Sequence, residues 1–204
     1  HNKVTERIAR KAAGKCLCIA GTGSNNTSET LEGTQHAAQC GCQAVLLVDP
    51  YYNGPSSLEI RREYVAPVAK AFPGLDIIPY VIPGRTGTQL LPEDLALLFK
   101  SYPNVNTVKE ATADIQNMRR TRACCGPDFT ILSGDDGMTL SMMADPAVKA
   151  AGVISVASNV APRAITEMVT LLNAGRQAEA QALAAKLEPL FKLVRGKTVE
   201  KTPY

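Results

Sequence analysis

The chain has 204 residues, 45% of them hydrophobic, which is enough for one large core and too evenly mixed for a disordered, collagen-like or disulfide-scaffold protein. Its 22 basic and 19 acidic residues are spread along the chain and leave a formal charge of +3, so no nucleic-acid or membrane footprint stands out and a small-molecule partner is expected. No apolar run approaches the roughly 20 residues needed to span a bilayer, and the amphipathic start HNKVTERIARKAAGK has no signal-like apolar core, so a soluble, cytoplasmic protein is expected.

In chain order, short apolar runs fall at Leu17–Ala20, Ala44–Val48, Ile77–Tyr80, Val105–Val108, Thr130–Leu132 and Val153–Val156, with helical patterns between them. Helix starts are marked by capping-box patterns at Asn26-x-x-Glu29 and Ser56-x-x-Glu59 and by Pro92 and Pro162 at first helical positions. Gly41, Gly74 and Gly175 mark helix ends. Strands this uniformly apolar are buried on both faces, which predicts a parallel sheet covered by helices. Two helices near Pro162–Asn173 and Gln177–Phe191 follow each other without a strand. The expected organisation is therefore a partial barrel over 1–162 and a helical region with a tail over 163–204.

A doubly wound sheet would carry G-x-G-x-x-G after its first strand, and Gly21-Thr22-Gly23 lacks the third glycine. A (β/α)8 barrel fits better. Such barrels need eight strands in about 250 residues. Only six are legible here, so two strands are expected to be missing and the sheet to be open.

The cysteines at 16, 18, 40 and 42 form two C-x-C pairs. Structural zinc sites space their cysteines by two to four residues, so buried thiols on a strand are the expectation for Cys16 and Cys18. Asp135 and Asp136 lie adjacent in one turn without further oxygen ligands, and Asp136 is read as a helix cap rather than a metal ligand. Neither a metal nor a cofactor is expected.

In barrels, reactive side chains sit where strands end and βα loops begin. That rule selects Lys109 after NVNTV, Tyr80 after DIIP, and Arg85 in the following loop PGRTG. A desolvated lysine supplies a neutral amine that can attack a carbonyl, and a phenol can relay the protons of the resulting carbinolamine. A guanidinium can grip a carboxylate with two parallel hydrogen bonds. Each residue alone also has a structural reading: a snorkelling lysine, a packed aromatic and a solvated arginine.

Read together, IAGTGSNNTSET (19–30), VDPYYNGP (48–55), YVIPGRTG (80–87), VKEATAD (108–114), LSGDDGM (132–138) and GVISVASNVAP (152–162) resemble the dihydrodipicolinate synthase and N-acetylneuraminate lyase family. PYYNGP with the PGRTG arginine is similar to the synthase branch rather than the sialic-acid lyases. The resemblance implies a class I, Schiff-base aldolase-type condensation of pyruvate with aspartate semialdehyde, in lysine and diaminopimelate biosynthesis. It makes Lys109 the nucleophile, Tyr80 the proton relay and Arg85 the holder of the aldehyde's carboxylate. Gly134 and Ile154 would line the pyruvate pocket through backbone groups, and Tyr52 would reach across a dimer interface. Asn25, Glu29, Tyr51 and His1 match a lysine-regulatory site, and a dimer or tetramer is implied. Glu29 has a plainer reading as the third residue of its helix's capping box.

The family's first-strand T-P-F segment and the G-T-T-G-E loop after its second strand have no counterpart here; they carry a relay threonine and the pyruvate carboxylate site. Val81 replaces an asparagine and Ala113 a glycine, changes expected to alter substrate preference. Two rivals stay open: another class I aldolase of the same family, acting on a keto-deoxy sugar acid, hydroxy-oxoglutarate or N-acetylneuraminate, and an inactive barrel with a binding role.

Overall fold

The computed structural model describes residues 2–195. After helix α1 (Asn2–Ala12), strands and helices alternate: β1 (Ile19–Gly21), α2 (Thr27–Gln39), β2 (Ala44–Val48), then a continuous helical stretch made of α3 (Ser57–Glu59), a π-helical turn (Ile60–Val65) and α4 (Ala66–Ala71). The order continues β3 (Asp76–Val81), α5 (Pro83–Thr86), α6 (Pro92–Ser101), β4 (Thr107–Glu110), α7 (Ile115–Cys125), β5 (Thr130–Ser133), α8 (Thr139–Ala144) and β6 (Gly152–Val153). Two helices close it, α9 (Pro162–Asn173) and α10 (Gln177–Val194).

All the pairings are parallel and the sheet runs β1-β2-β3-β4-β5-β6 in chain order, as in one arc of an α/β barrel. No ladder joins β1 to β6 among the described residues, so the sheet is open, as the count of six predicted. Ile19 on β1 is 40% exposed at that edge.

The apolar cluster that holds the arc together includes Val45, Leu47, Ile77, Val108 and Ile131 from the strands and Ile60, Val68, Leu98 and Met118 from the helices, all essentially solvent-free. Burying each such side chain contributes roughly 1.5–3 kcal/mol. Phe99 and Phe129 meet edge to face at 5.1 Å. A second cluster, Ala157, Ile165, Met168, Leu187 and Phe191, lies between α9, α10 and the start of the last segment.

The capping pattern is half right. Ser56 and Glu59 form the reciprocal box, whereas Asn26 caps α2 through Ser28 and Glu29 amides while the Glu29 carboxylate turns away to accept from Ser24 Oγ at 2.6 Å. Ser24 Oγ in turn accepts the Asn26 amide that the box would have used. Gly41 and Gly175 follow helix ends with positive φ, but α4 stops at Ala71, ahead of Gly74, in a turn closed by Leu75 N–H to Phe72 O.

Strand boundaries move at every strand but β2. β1 starts later than the apolar run, leaving Leu17 75% exposed. Cys16 is exposed and Cys18 buried, and both precede the strand, which corrects their placement on it. β4 runs on to Glu110, so Lys109 is inside the strand rather than after it. β6 ends at Val153 because the amides of Val156 and Ala157 leave the ladder for the Asp136 carboxylate, at 3.0 and 2.9 Å. Asp136 is therefore not the cap of the following turn; Asp135 is, accepting from Gly137 N.

Candidate active site

β3 and β4 pair with Tyr80 opposite Lys109, and β4 pairs with β5 with Lys109 opposite Leu132. In a parallel ladder such partners share a face, so Tyr80 and Lys109 point together into the arc at its C-terminal end. Lys109 Nζ lies 3.8 Å from the centre of the Tyr80 ring. The side chain is 7% exposed and makes neither a hydrogen bond nor a salt bridge among the described residues. Burial pushes its pKa down to about 8, opposed by the Asp136 carboxylate. Burial also raises the Tyr80 phenol, with Arg85 opposing and Asp135 adding. An amine that gives up its proton far more readily than a free lysine thus lies against a protonated phenol.

Gly134 makes room for that amine. A Cβ there would lie 2.9 Å from Ala111 Cβ and 3.0 Å from Lys109 Cε, so any side chain at 134 would displace the lysine. The amide of Gly134 donates to Glu110 O at 2.7 Å and that of Ile154 to Ser133 O at 2.9 Å. Both N–H groups are consumed by continuing the sheet, which leaves carbonyl oxygens as what these two residues can offer a ligand. Gly23 is the other glycine set by close approach, since a Cβ on it would overlap the Val48 amide.

Arg85 sits on α5, exposed, with no ion pair among the described residues, and it acts on the Tyr80 phenol through space. It is available to an anion. Arg122 shows the contrast: it donates to the carbonyls of Val148, Gly126 and Phe129 and is a structural tie.

Tyr51 and Tyr52 lie on the loop after β2, 53% and 68% exposed, with Asn53 and Gly54 at positive φ behind them. No hydrogen bond joins Tyr52 to Tyr80 or Lys109 among the described residues. Asn25 and Glu29 are brought together at the start of α2, both accepting from Ser24 Oγ, whereas Lys109 lies on β4. His1 lies outside the described residues.

Sequence reasoning passed over the buried acids behind the site. Asp49 follows β2 and Glu110 ends β4, 0% and 1% exposed, on the helix-covered side of the sheet. Glu110 accepts from Thr112 N–H at 2.7 Å and Asn117 Nδ2 at 3.0 Å. Asp49 accepts the Leu90 amide at 3.0 Å, and burial, reinforced by the nearby Glu110, pushes it up to about 7. The visible signal was alternation: in VKE, if lysine faces the mouth, glutamate must face the helices. The same alternation places Val81 in the apolar cluster, on the opposite face from Tyr80, so its replacement of asparagine does not put a side chain beside the amine. Ala113 adopts φ 59, the left-handed conformation that glycine would take without strain.

Parallel strands with a buried amine and a phenol paired at their C-terminal ends define a class, the barrel with a reactive-lysine mouth. The chain belongs to the dihydrodipicolinate synthetase family, whose model matches residues 1–201. The 4-hydroxy-tetrahydrodipicolinate synthase of Citrifermentans bemidjiense is 40% identical over 203 residues, covering 100% of this chain and 67% of that protein. Dihydrodipicolinate synthase from Aquifex aeolicus superposes with a TM-score of 0.91 at 36% identity, covering 98% of this chain and 66% of that one. The chloride-inhibited dihydrodipicolinate synthase from Acinetobacter baumannii complexed with pyruvate gives 0.89 at 33% identity, covering 98% and 67%. The chain thus spans about two thirds of the length of these relatives. The expected fold class and a lyase family are borne out, and these relatives carry the synthase name rather than that of a rival aldolase.

Proposed function

We propose that the protein to which this chain belongs condenses pyruvate with aspartate semialdehyde through an imine on Lys109. The observation that carries this reading is the buried, unpaired amine lying on the Tyr80 ring at the C-terminal end of adjacent strands. A lysine in an ion pair would be held protonated; desolvation loosens the proton of this one, so its neutral fraction is far larger than a free lysine's. Nζ attacks the pyruvate ketone, Tyr80 supplies and removes the protons of the carbinolamine, and water leaves to give the imine. Loss of a methyl proton then yields the enamine that attacks the aldehyde. Gly134 and Ile154 line the pyruvate pocket through their backbone, with carbonyls that accept from the hydroxyl of the carbinolamine, and Arg85 takes the carboxylate of the aldehyde at the rim. Tyr52, exposed on its loop, extends the relay from a second copy in a dimer or tetramer.

Two further assignments belong to the same reading. Asn25, Glu29 and Tyr51 receive lysine as a feedback ligand, supported by the shared Ser24 hydroxyl and by a cleft of about 360 Å³ that Glu29 lines with Asn2, Ser24 and Glu32. The protein works in the cytoplasm, a setting in which its six free cysteines rest as thiols open to exchange. Among the described residues no helix is long and apolar enough to cross a membrane.

Steady-state kinetics of the full-length protein test the substrate pair. Arg85→Ala should weaken use of aspartate semialdehyde by about 2 kcal/mol, roughly thirtyfold, and spare pyruvate. Equal losses for both substrates would make Arg85 structural and shift the reading toward the lyases of the family.

A further inference from the structure

The two C-x-C pairs meet at the end of the sheet remote from Lys109. Cys18 immediately precedes β1, Cys42 lies just before β2, and their sulfurs are 3.6 Å apart, both buried. The backbone holds them there. Gln43 and Ala44 amides donate to Cys18 O at 3.1 and 3.4 Å, Cys18 N–H donates to Gln43 Oε1 at 2.8 Å, and Cys42 N–H donates to Ala37 O at 3.1 Å. Of the remaining cysteines, Cys16 and Cys124 are exposed, Cys40 lies half-buried against His36 and Cys125 is buried, and among the described residues Cys18–Cys42 is the one sulfur–sulfur contact.

We propose that Cys18 and Cys42 form a dithiol modification site that closes to an intramolecular disulfide by exchange with a small-molecule disulfide. Cys18, whose sulfur accepts the Cys42 S–H, ionises and its thiolate attacks one sulfur of RSSR, giving Cys18–S–SR and releasing one RS⁻. The Cys42 thiolate then attacks the Cys18 sulfur, forming the protein disulfide and releasing the second RS⁻. The two protein thiols lose two protons and two electrons; RSSR accepts both electrons and leaves as two RSH. The sulfurs must close from 3.6 Å to about 2.05 Å, an approach that takes side-chain rotation and a small shift of β1. β1 has three residues, and local opening of so short a strand admits the reagent. Burial, with Cys18 and Cys40 alongside, pushes the Cys42 thiol up to about 11, so the resting form is the dithiol and exchange quickens with pH.

The test uses the full-length protein, reduced, freed of reductant, and incubated with oxidised glutathione at alkaline pH before alkylation and peptide mass mapping. The expected result is a cross-linked peptide pair joining Cys18 to Cys42, reversed by dithiothreitol and absent in both Cys18→Ser and Cys42→Ala. Recovery of Cys18 and Cys42 as separate alkylated or glutathionylated peptides, while Cys16 and Cys124 react, would overturn the proposal. So would a cross-link from either residue to Cys16 or Cys40 instead. The wild-type map decides the matter even if a variant fails to fold.

Discussion

Lys109 and Glu110 are neighbours on one strand, both removed from water, and they have opposite fates. Glu110 faces the helices with both carboxylate oxygens hydrogen-bonded, one to a backbone amide and one to Asn117. Lys109 faces the mouth with an aromatic ring beneath it and no polar partner among the described residues. A buried ionisable group whose hydrogen bonds are all made is part of the scaffold; one whose burial is left uncompensated has been kept reactive. The strand's alternation puts the two kinds one residue apart.

The comparison breaks first at Tyr80. Tyr80→Phe leaves the packing surface and removes the proton relay, so pyruvate-dependent turnover should fall by roughly 100- to 1,000-fold, about 3–4 kcal/mol, with little change in the melting temperature. A mild effect would assign the proton transfers to another group.

Glu110→Ala should behave in the opposite way. It strands the Thr112 amide and the Asn117 side chain, and denaturant unfolding should show a loss of about 3 kcal/mol. An undisturbed midpoint would mean that the acid is not part of the scaffold.

Lys109→Met should stabilise the fold while abolishing turnover. The amine's pKa is about 8 in the folded chain against an ordinary lysine value of 10.5, so below pH 8 the folded state carries the full penalty of a buried ammonium, and the penalty disappears as pH rises from about 8 to 10.5. At neutral pH the variant should gain ~1–3 kcal/mol in urea unfolding, and the gain should shrink across that alkaline window. A gain independent of pH would point to packing alone.

The smallest effect is expected at Ala113. Its φ of 59 strains a side chain, and Ala113→Gly should add ~0.5–1 kcal/mol to stability by relieving it. A loss would mean that the entropy of glycine in the unfolded chain outweighs the strain.

How much of this could be read in the letters depended on the range of the interaction. β2 and the starts of α6 and α9 were legible because apolar runs and proline positions are local signals. The early end of β6 was not, because it is set by Asp136, twenty residues away, whose carboxylate draws two amides off the ladder. Lys109, Tyr80 and Arg85 were found from strand-end position and motif, and the structure brings the first two into contact while leaving the third on the rim. Asp49 and Glu110 were overlooked because an acid in an apolar run gives no local hint that its partners lie on other elements. Cys18 and Cys42 escaped for the same reason: their spacing argued against zinc, and only the β1–β2 pairing shows that the sulfurs meet.

Borohydride trapping with peptide mapping on the full-length protein bears most directly on the central claim. Pyruvate and borohydride should add one reduced adduct, on the peptide that contains Lys109, at a rate that rises with pH through about 8 as the amine loses its proton. The adduct should be absent in Lys109→Arg. An adduct on another lysine, such as Lys100, or no adduct from a preparation that turns over pyruvate, would contradict the account of Lys109.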